Sequence, residues 1–410
     1  MDDAQFARMA SWIAAAGLKG SAETAMVAGF CERLKALEVP LTRASVFIDT
    51  LHPTYEGRIF SWQSGGEQTK LTEYGRTGEE GDLAERWRRS PFYRLLAAGE
   101  TVMRRSLSRE TDADLAEFPI FADLRAAGMT EYLAMVTRFA GERSIGDMDC
   151  VYSSWSTDSP GCFSDQHVAD LERLMPLLAL AVKSASLARI AATLVETYLG
   201  RDAGRRVLSG RIARGVADRI EAVLWFSDLR GYTPITDAAA PDAIIPFLND
   251  YADAVISAIH DKGGDVLKLM GDGILAIFTA DDSKEDCNSA LAALDAARTA
   301  IAELNARRSA KGEPITDLYL GLHIGEVFYG NIGSKDRLDF TVVGPAVNEV
   351  SRIAAMCRSV DRPVLMSSSF AEVLGDADSR LVSVGRYALR GVSRAQTLYT
   401  LDPEASLPMT

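Results

Sequence analysis

The stretch Phe226-Ser227-Asp228-Leu229-Arg230-Gly231-Tyr232-Thr233, with the later stretch Lys268-Leu269-Met270-Gly271-Asp272-Gly273, decides how this chain is read. Each adjoins β-type apolar runs, Ala222 to Phe226 in the first case and Val266 to Leu269 then Ile274 to Phe278 in the second. Each also sets an Asp where glycine lets the backbone turn sharply. Two carboxylates at strand ends, beside open glycine backbone, can hold hard divalent cations on a phosphate chain. The pattern points to phosphoryl or nucleotidyl transfer. Gly271-Asp272-Gly273 alone reads as a hairpin turn. Asp228 shifts that balance, because nothing turn-like precedes it and Arg230 with Gly231 offers positive charge and bare N–H groups to an anion.

At 410 residues the chain exceeds one ordinary core, so two domains are expected, and a hydrophobic content of 47% makes them globular. The formal net charge of -13 repels a polyphosphate backbone, which argues against nucleic acid as a partner. Cys31, Cys150, Cys162, Cys287 and Cys357 are scattered and form no C-x-x-C pair, so neither a disulfide framework nor a zinc site is expected. A reducing, cytoplasmic setting follows. Met1-Asp2-Asp3 has the wrong charge for a signal peptide, and the longest strongly apolar run, Met175 to Val182, is too short to span a bilayer, so no membrane association is expected.

Residues 1 to about 38 read as helices, with strands following at Ala44 to Leu51, Arg58 to Trp62, Tyr132 to Phe139 and Met148 to Trp155. A charged, helix-rich insertion is expected between Gly81 and Ala127. Phe163-Ser164-Asp165-Gln166-His167 supplies an N-cap for a helix carrying Val168, Leu171, Leu174, Met175 and Leu178 inward. Over residues 25–183 this order of elements resembles a GAF domain, a family of small-molecule sensors and dimerisation modules. The resemblance implies an effector without naming it. Trp62, Trp87, Phe92, Tyr132 and Trp155 read as sheet core, with a sensor pocket as the alternative. Leu177, Leu180, Ser184, Leu187, Ala191, Leu194 and Tyr198 then recur at steps of three and four, the a/d pattern of a coiled coil; an amphipathic helix packed on its own domain gives the same stripe. Leu199 to Gly215, with four glycines and five arginines, reads as a jointed connector.

Beyond it, strand and helix alternate. A helix is expected over Asp242 to His260, with Pro246 delaying its regular start. A second begins at Ser283, with Asp286 three residues on as a capping-box-like partner. Strands follow at Leu318 to Ile324, Glu326 to Tyr329 and Phe340 to Val343, then a helix opening on Pro345, on which Asn348 and Arg352 share a face.

With Asp228, Lys268, Asp272, Thr341, Asn348 and Arg352 falling in this order and context, the chain from Ile220 to Leu401 resembles the catalytic domain of class III adenylyl and guanylyl cyclases. The resemblance implies a mixed α+β, α/β architecture. Residues 1–176 would be a GAF-like sensor with N-terminal helices, 177–215 a helical dimerisation linker and 216–402 a ferredoxin-like βαββαβ cyclase domain. It implies that Asp228 and Asp272, with the Leu229 carbonyl, hold two Mg2+ or Mn2+ ions per site. It assigns Lys268 and Thr341 to the base, Asn348 to the ribose, and Arg352 to the α-phosphate as charge builds in the transition state. Gly231, Tyr232 and Thr233 would bind substrate, and Arg390 would meet its terminal phosphates. Thr341, where other relatives have Asp, matches a bacterial subgroup and favours ATP over GTP. Pro345 stands where many relatives have Asp, and Glu349 where an apolar residue is common. In this family the metal acids of one subunit face the base-reading and transition-state residues of the other, which implies a homodimer. A guanylate cyclase, or a silent nucleotide-binding module, are the competing readings. Lys262-Gly263-Gly264-Asp265 lacks the next acidic residue of a diguanylate cyclase turn, and Gly271 to Ala276 precedes a strand where a dinucleotide fingerprint needs a helix. His52, His167, His260 and His323 show no ligand spacing and read as structural.

Overall fold

The computed structural model describes Met1 to Asp402 apart from residues 67, 79, 110, 112–115, 140–144, 147, 280–281, 376–379 and 393. Two compact units divide it, Met1–Leu194 and Val195–Thr410.

In the first unit, alternation along a central strand sets the architecture. Strand β1 (Arg43–Asp49) sends Ala44, Val46 and Ile48 to one face and Arg43, Ser45, Phe47 and Asp49 to the other. The antiparallel sheet has the order β3-β2-β1-β6-β5-β4, from β2 (Tyr55–Gln63), β3 (Lys70–Gly75), β4 (Val102–Ser106), β5 (Glu131–Arg138) and β6 (Cys150–Thr157). Helices α1 (Asp3–Leu18), α2 (Glu23–Ala36) and α6 (Asp165–Leu199) pack Ile13, Phe30, Leu171 and Leu174 on the first face, with Val46 and Trp155. Helices α3 (Asp82–Arg88), α4 (Pro91–Ala98) and α5 (Pro119–Ala126) cover the second, where Phe92, Phe121, Tyr132 and Tyr152 cluster. The Ser164 cap is present, its Oγ accepting from the His167 N–H at 3.1 Å.

Strands β3 and β4 were not expected from the sequence. Both lie at sheet edges and carry Lys70, Glu73, Arg104 and Arg105. Edge strands tolerate the charges that erase a β signature. Helix α6, 35 residues long, extends well beyond the run Met175 to Val182 and is, by length and composition only, apolar enough to cross a membrane, a test that a core helix also passes. Part of that apolar surface lies on the sheet of the first unit, through Leu174, Leu178 and Val182.

The second unit opens with the end of α6 and α7 (Arg201–Leu208), inside the segment read as a jointed connector. Here it is packed structure. Ala203 is buried with Leu224, Leu267 and Tyr329. Arg206 pairs with Asp202 and Asp218 and lies over the Tyr329 ring at 5.1 Å.

From there the chain forms β7 (Ala217–Leu229), α8 (Tyr232–Ala238), α9 (Pro241–Asp261), β8 (Asp265–Met270), β9 (Gly273–Phe278), α10 (Ser283–Ala310) and β10 (Leu318–Gly333). The strand order β10-β7-β9-β8 is antiparallel throughout, the split βαβ arrangement of a ferredoxin-like sheet. Strands β11 (Leu338–Val343), β12 (Val364–Ser367), β13 (Leu381–Tyr387) and β14 (Gln396–Leu401) extend it, with α11 (Pro345–Val360) and α12 (Ser368–Leu374). One face buries Trp225, Tyr251, Leu294 and Leu322 under α9 and α10. The other buries Leu224, Leu275, Val327 and Val350 under α11.

Three local expectations need correction. Helix α9 runs through Pro246, whose early position removes only one hydrogen bond near the start. The N-cap of α10 is Asp282, accepting from the Lys284 N–H at 2.7 Å, because Ser283 instead donates to Glu221 at 2.9 Å. Strand β10 is continuous where Gly325 was read as a break. That glycine serves close packing: a Cβ there would sit 2.9 Å from the Ala346 Cβ of α11.

Candidate active site

Two turns bring the acidic pair together. Asp228 lies near the end of β7, opposite Tyr319 on β10, and shares the α11 side of the sheet with Leu224 and Phe226. Asp272 lies in the turn between β8 and β9, entered through Gly271 at φ +67° in the left-handed region. The Leu229 N–H donates to Asp272 Oδ2 at 3.3 Å, so the start of the Asp228 turn and the β8–β9 turn are tied. Burial, then the hydrogen bond and charge of Asp272, push the Asp228 carboxyl up to about 7. Like charges brought together in one partly buried place disfavour the ionised form of Asp228.

That donor set fits a divalent cation. Hard oxygen ligands gain most where two carboxylates repel each other without one, and no basic side chain forms an ion pair with either acid among the described residues. Arg358, on the last turn of α11, acts on Asp228 only through its charge.

After Asp228 the chain turns through Gly231, at φ +70°, into Tyr232 and Thr233 on the short helix α8. A Cβ at Gly231 would meet nothing within 4 Å, so the backbone there is open.

Lys268 stands on β8 opposite Leu275, past a register shift that turns it to the same face as Phe226. Its Nζ makes an ion pair with Asp339 on β11. Thr341 is two residues further along β11 and therefore on the same side of that strand as Asp339. Lys268 and Asp339 thus form a second polar group, an ammonium held by a carboxylate, with Thr341 next on the same side of β11. Asp339 escaped the sequence reading. The available signal was its period-two spacing from Thr341.

Asn348 and Arg352 project from the exposed side of α11, with no hydrogen bond to Asp228 or Asp272 among the described residues. Helix α11 approaches β10 closely at Gly321, where a Cβ would lie 2.7 Å from the Ala354 nitrogen and the Val350 oxygen. The helix axis, and with it Asn348 and Arg352, is therefore fixed relative to the strand. Beneath it, His323 Nδ1 lies 2.9 Å from Ser367 Oγ and 3.7 Å from Glu349 Oε1. Burial lowers the His323 pKa against the opposing charge of Glu349, so both residues belong to the buried packing of α11. Arg390 is exposed between β13 and β14, away from any of these groups by every hydrogen bond described.

Residues 217–403 match the family model of the adenylate and guanylate cyclase catalytic domain. The chain is 36% identical over 169 residues to an adenylate cyclase of Anabaena cylindrica, covering 40% of this chain and 33% of that protein. It is 30% identical over 182 residues to the terminal-differentiation specific adenylate cyclase of Dictyostelium discoideum, covering 43% of this chain and 8% of that protein. Among solved structures it is similar to the adenylyl cyclase CyaB from P. aeruginosa, at 25% identity and a TM-score of 0.44, covering 47% of this chain and 100% of that chain. The chain spans a third or less of the length of these two curated relatives.

Proposed function

We propose that this chain, whose residues 217–403 form a catalytic domain of the adenylate and guanylate cyclase family, is an adenylate cyclase converting ATP to 3′,5′-cyclic AMP and pyrophosphate. The observation that carries the reading is the Asp228–Asp272 pair at two adjoining turns. Those side chains, with the Leu229 carbonyl, would hold two Mg2+ or Mn2+ ions. When bound, such ions lower the pKa of the ribose 3′-hydroxyl and neutralise charge on the α-phosphate and the leaving pyrophosphate.

The protein's own share is positioning. Gly231, Tyr232 and Thr233 bring an open backbone turn to the phosphates, and Arg390 supplies a cation for their terminal end. Arg352 offers a planar donor fork to the α-phosphate, and Asn348 orients the ribose. Lys268 donates to the base while Thr341 accepts from the adenine amino group. The reactive set is split between two chains, and the exposed Leu269, Met270, Leu338 and Val343, which flank Asp272 and Thr341, are the apolar surface of that homodimer. The first unit is a GAF-like sensor, and the stripe from Leu177 to Tyr198 is the paired helix through which it acts. An ATP-consuming enzyme with free cysteines suits the cytoplasm.

The test is product analysis of the full chain with Mn2+ and ATP or GTP, run side by side. Cyclic AMP above all other products is expected; cyclic GMP as the main product would reassign the base, and neither product would favour the silent module. The ion pair gives a sharper check. Asp339→Asn frees Lys268, and because a hydrogen bond between charged groups contributes about 1.5–3 kcal/mol, the ATP-over-GTP ratio of kcat/KM should fall by about tenfold or more. An unchanged ratio would remove Asp339 from base reading.

A further inference from the structure

The second face of the sheet in the first unit is not closed by packing. A cavity of ≈ 890 Å³ lies between β1, β2 and β6 and the helices α3, α4 and α5, within the size range of small-molecule sites. Its lining is ordered by the strand register. Ser45 stands directly opposite Ser154, Arg43 opposite Ser156, and Phe47 between Ile59 and Tyr152. A face roofed by helices and meant only as core would carry apolar residues at these positions, as Ala44, Val46 and Ile48 do behind them.

Three zones follow along β1. In the middle are rings: Phe47 lies edge-on to Phe92 at 5.1 Å, and Trp87 edge-on to Tyr152 at 5.5 Å. At one end Tyr74 donates to Asp49 Oδ1 at 2.6 Å, with Glu56 and Asp149 also on the lining. Gly57 makes this possible, since a Cβ there would fall 2.1 Å from the Tyr74 hydroxyl oxygen. At the other end Ser45 and Ser156 are buried, and Arg43 stands at the rim without an ion pair among the described residues. Ser45 to Asp49 is four strand residues, about 13 Å, the length of a molecule of two or three rings.

We propose that this cavity binds a ring-bearing small organic anion, its rings among Phe47, Trp87, Phe92 and Tyr152, its acidic group toward Arg43, Ser45 and Ser154, and an N–H donor toward Asp49. The aromatic walls supply area and stacking, and the two polar ends fix orientation. Arg43 and Asp49, of opposite charge at opposite ends, select one direction of entry. The proposal gives a chemical class to the effector of the sensor reading and rests on that reading only for regulation; binding is measured without turnover, so either can fail alone.

The probe is 8-anilinonaphthalene-1-sulfonate, which carries rings, a sulfonate and an N–H, beside its uncharged relative N-phenyl-1-naphthylamine, each titrated into the full chain by fluorescence. One saturable site per chain is expected for both. Arg43→Ala should weaken the sulfonate about tenfold or more and the uncharged probe less than twofold, and Asp49→Asn should weaken both. Ile59→Trp, which sets an indole into the ring zone opposite Phe47, should weaken both probes about tenfold or more while circular dichroism stays unchanged. Unaltered binding in a folded Ile59→Trp chain, or equal effects of Arg43→Ala on the two probes, would overturn the proposal. Should Ile59→Trp not fold, the exposed Arg43 position still decides.

Discussion

Asp272→Asn is expected to lower cyclic AMP formation at saturating MnATP by about a thousandfold or more, while Asp228→Asn does the same and also raises the melting temperature of the metal-free chain. The activity loss follows from removing one of the two carboxylates proposed to hold the metal ions: metal-assisted stabilisation of a phosphoryl centre amounts to several kcal/mol, and ~4 kcal/mol corresponds to ~1000-fold in rate. The stability gain has the opposite sign because Asp228 is held in an unfavourable place. Burial, with Asp272 beside it, raises its folded pKa to about 7, above the unfolded carboxylate value. A carboxyl raised in this way costs stability as pH climbs above its unfolded pKa of about 4, and the cost is complete above its folded pKa. Asparagine removes the charge. The gain should be absent near pH 4 and full at pH 8 in chelator, about 2–4 °C for ~1 kcal/mol in a unit of this size. Added Mn2+ should stabilise the unsubstituted chain and leave the Asn variants unmoved. A structural pair would behave the other way, losing stability on substitution, and calorimetry in chelator would expose it.

The parts of this molecule that were legible in the sequence are those where one residue type has one local job. Pro345 opens α11, the Gly271 turn carries Asp272 between β8 and β9, and the period of Leu171, Leu174 and Leu178 marks the buried side of α6. Elements that failed to announce themselves are defined by what lies across from them. Strand β3 reads as polar because only its β2 side is paired, and Gly325 reads as a break because the helix it admits comes only later in the chain, at Ala346. Asp339 fell just outside the strand read at Phe340 to Val343, and β11 sets it against Lys268. The aromatic residues divided in a way that no periodicity distinguishes. Trp155 is packed in the core with Phe30 at 5.6 Å between ring centroids, whereas Trp87, Phe92 and Tyr132 line the cavity. Arg43, Ser45 and Asp49 carry the alternation of a solvent-facing strand, and only the helices laid over them convert that face into a site.

A chain carrying Asp228→Asn, mixed with one carrying Asn348→Ala, should recover about a quarter of the unsubstituted activity, although each is nearly silent alone. Gly325 of β10 abuts Ala346, Gly321 abuts Val350, and Tyr319 stands opposite Asp228. Asn348, between Ala346 and Val350 on α11, is therefore level with His323, about four strand residues or ~13 Å along β10 from the acidic pair. That span, with Asn348 turned outward, suits a substrate whose other half is supplied by a second copy. In the proposed homodimer, two sites related by a twofold axis would each take the acids from one chain and Asn348 from the other. Random mixing makes about half of the dimers mixed, and a mixed dimer keeps one site with both halves intact, hence about one quarter. Subunits must exchange, so the two chains are coexpressed with different tags and purified through both in series, which should raise recovery to about one half per dimer. Doubly tagged dimers that remain inactive would place the whole site within one chain, and the exposed Leu269, Met270, Leu338 and Val343 would then need another occupant.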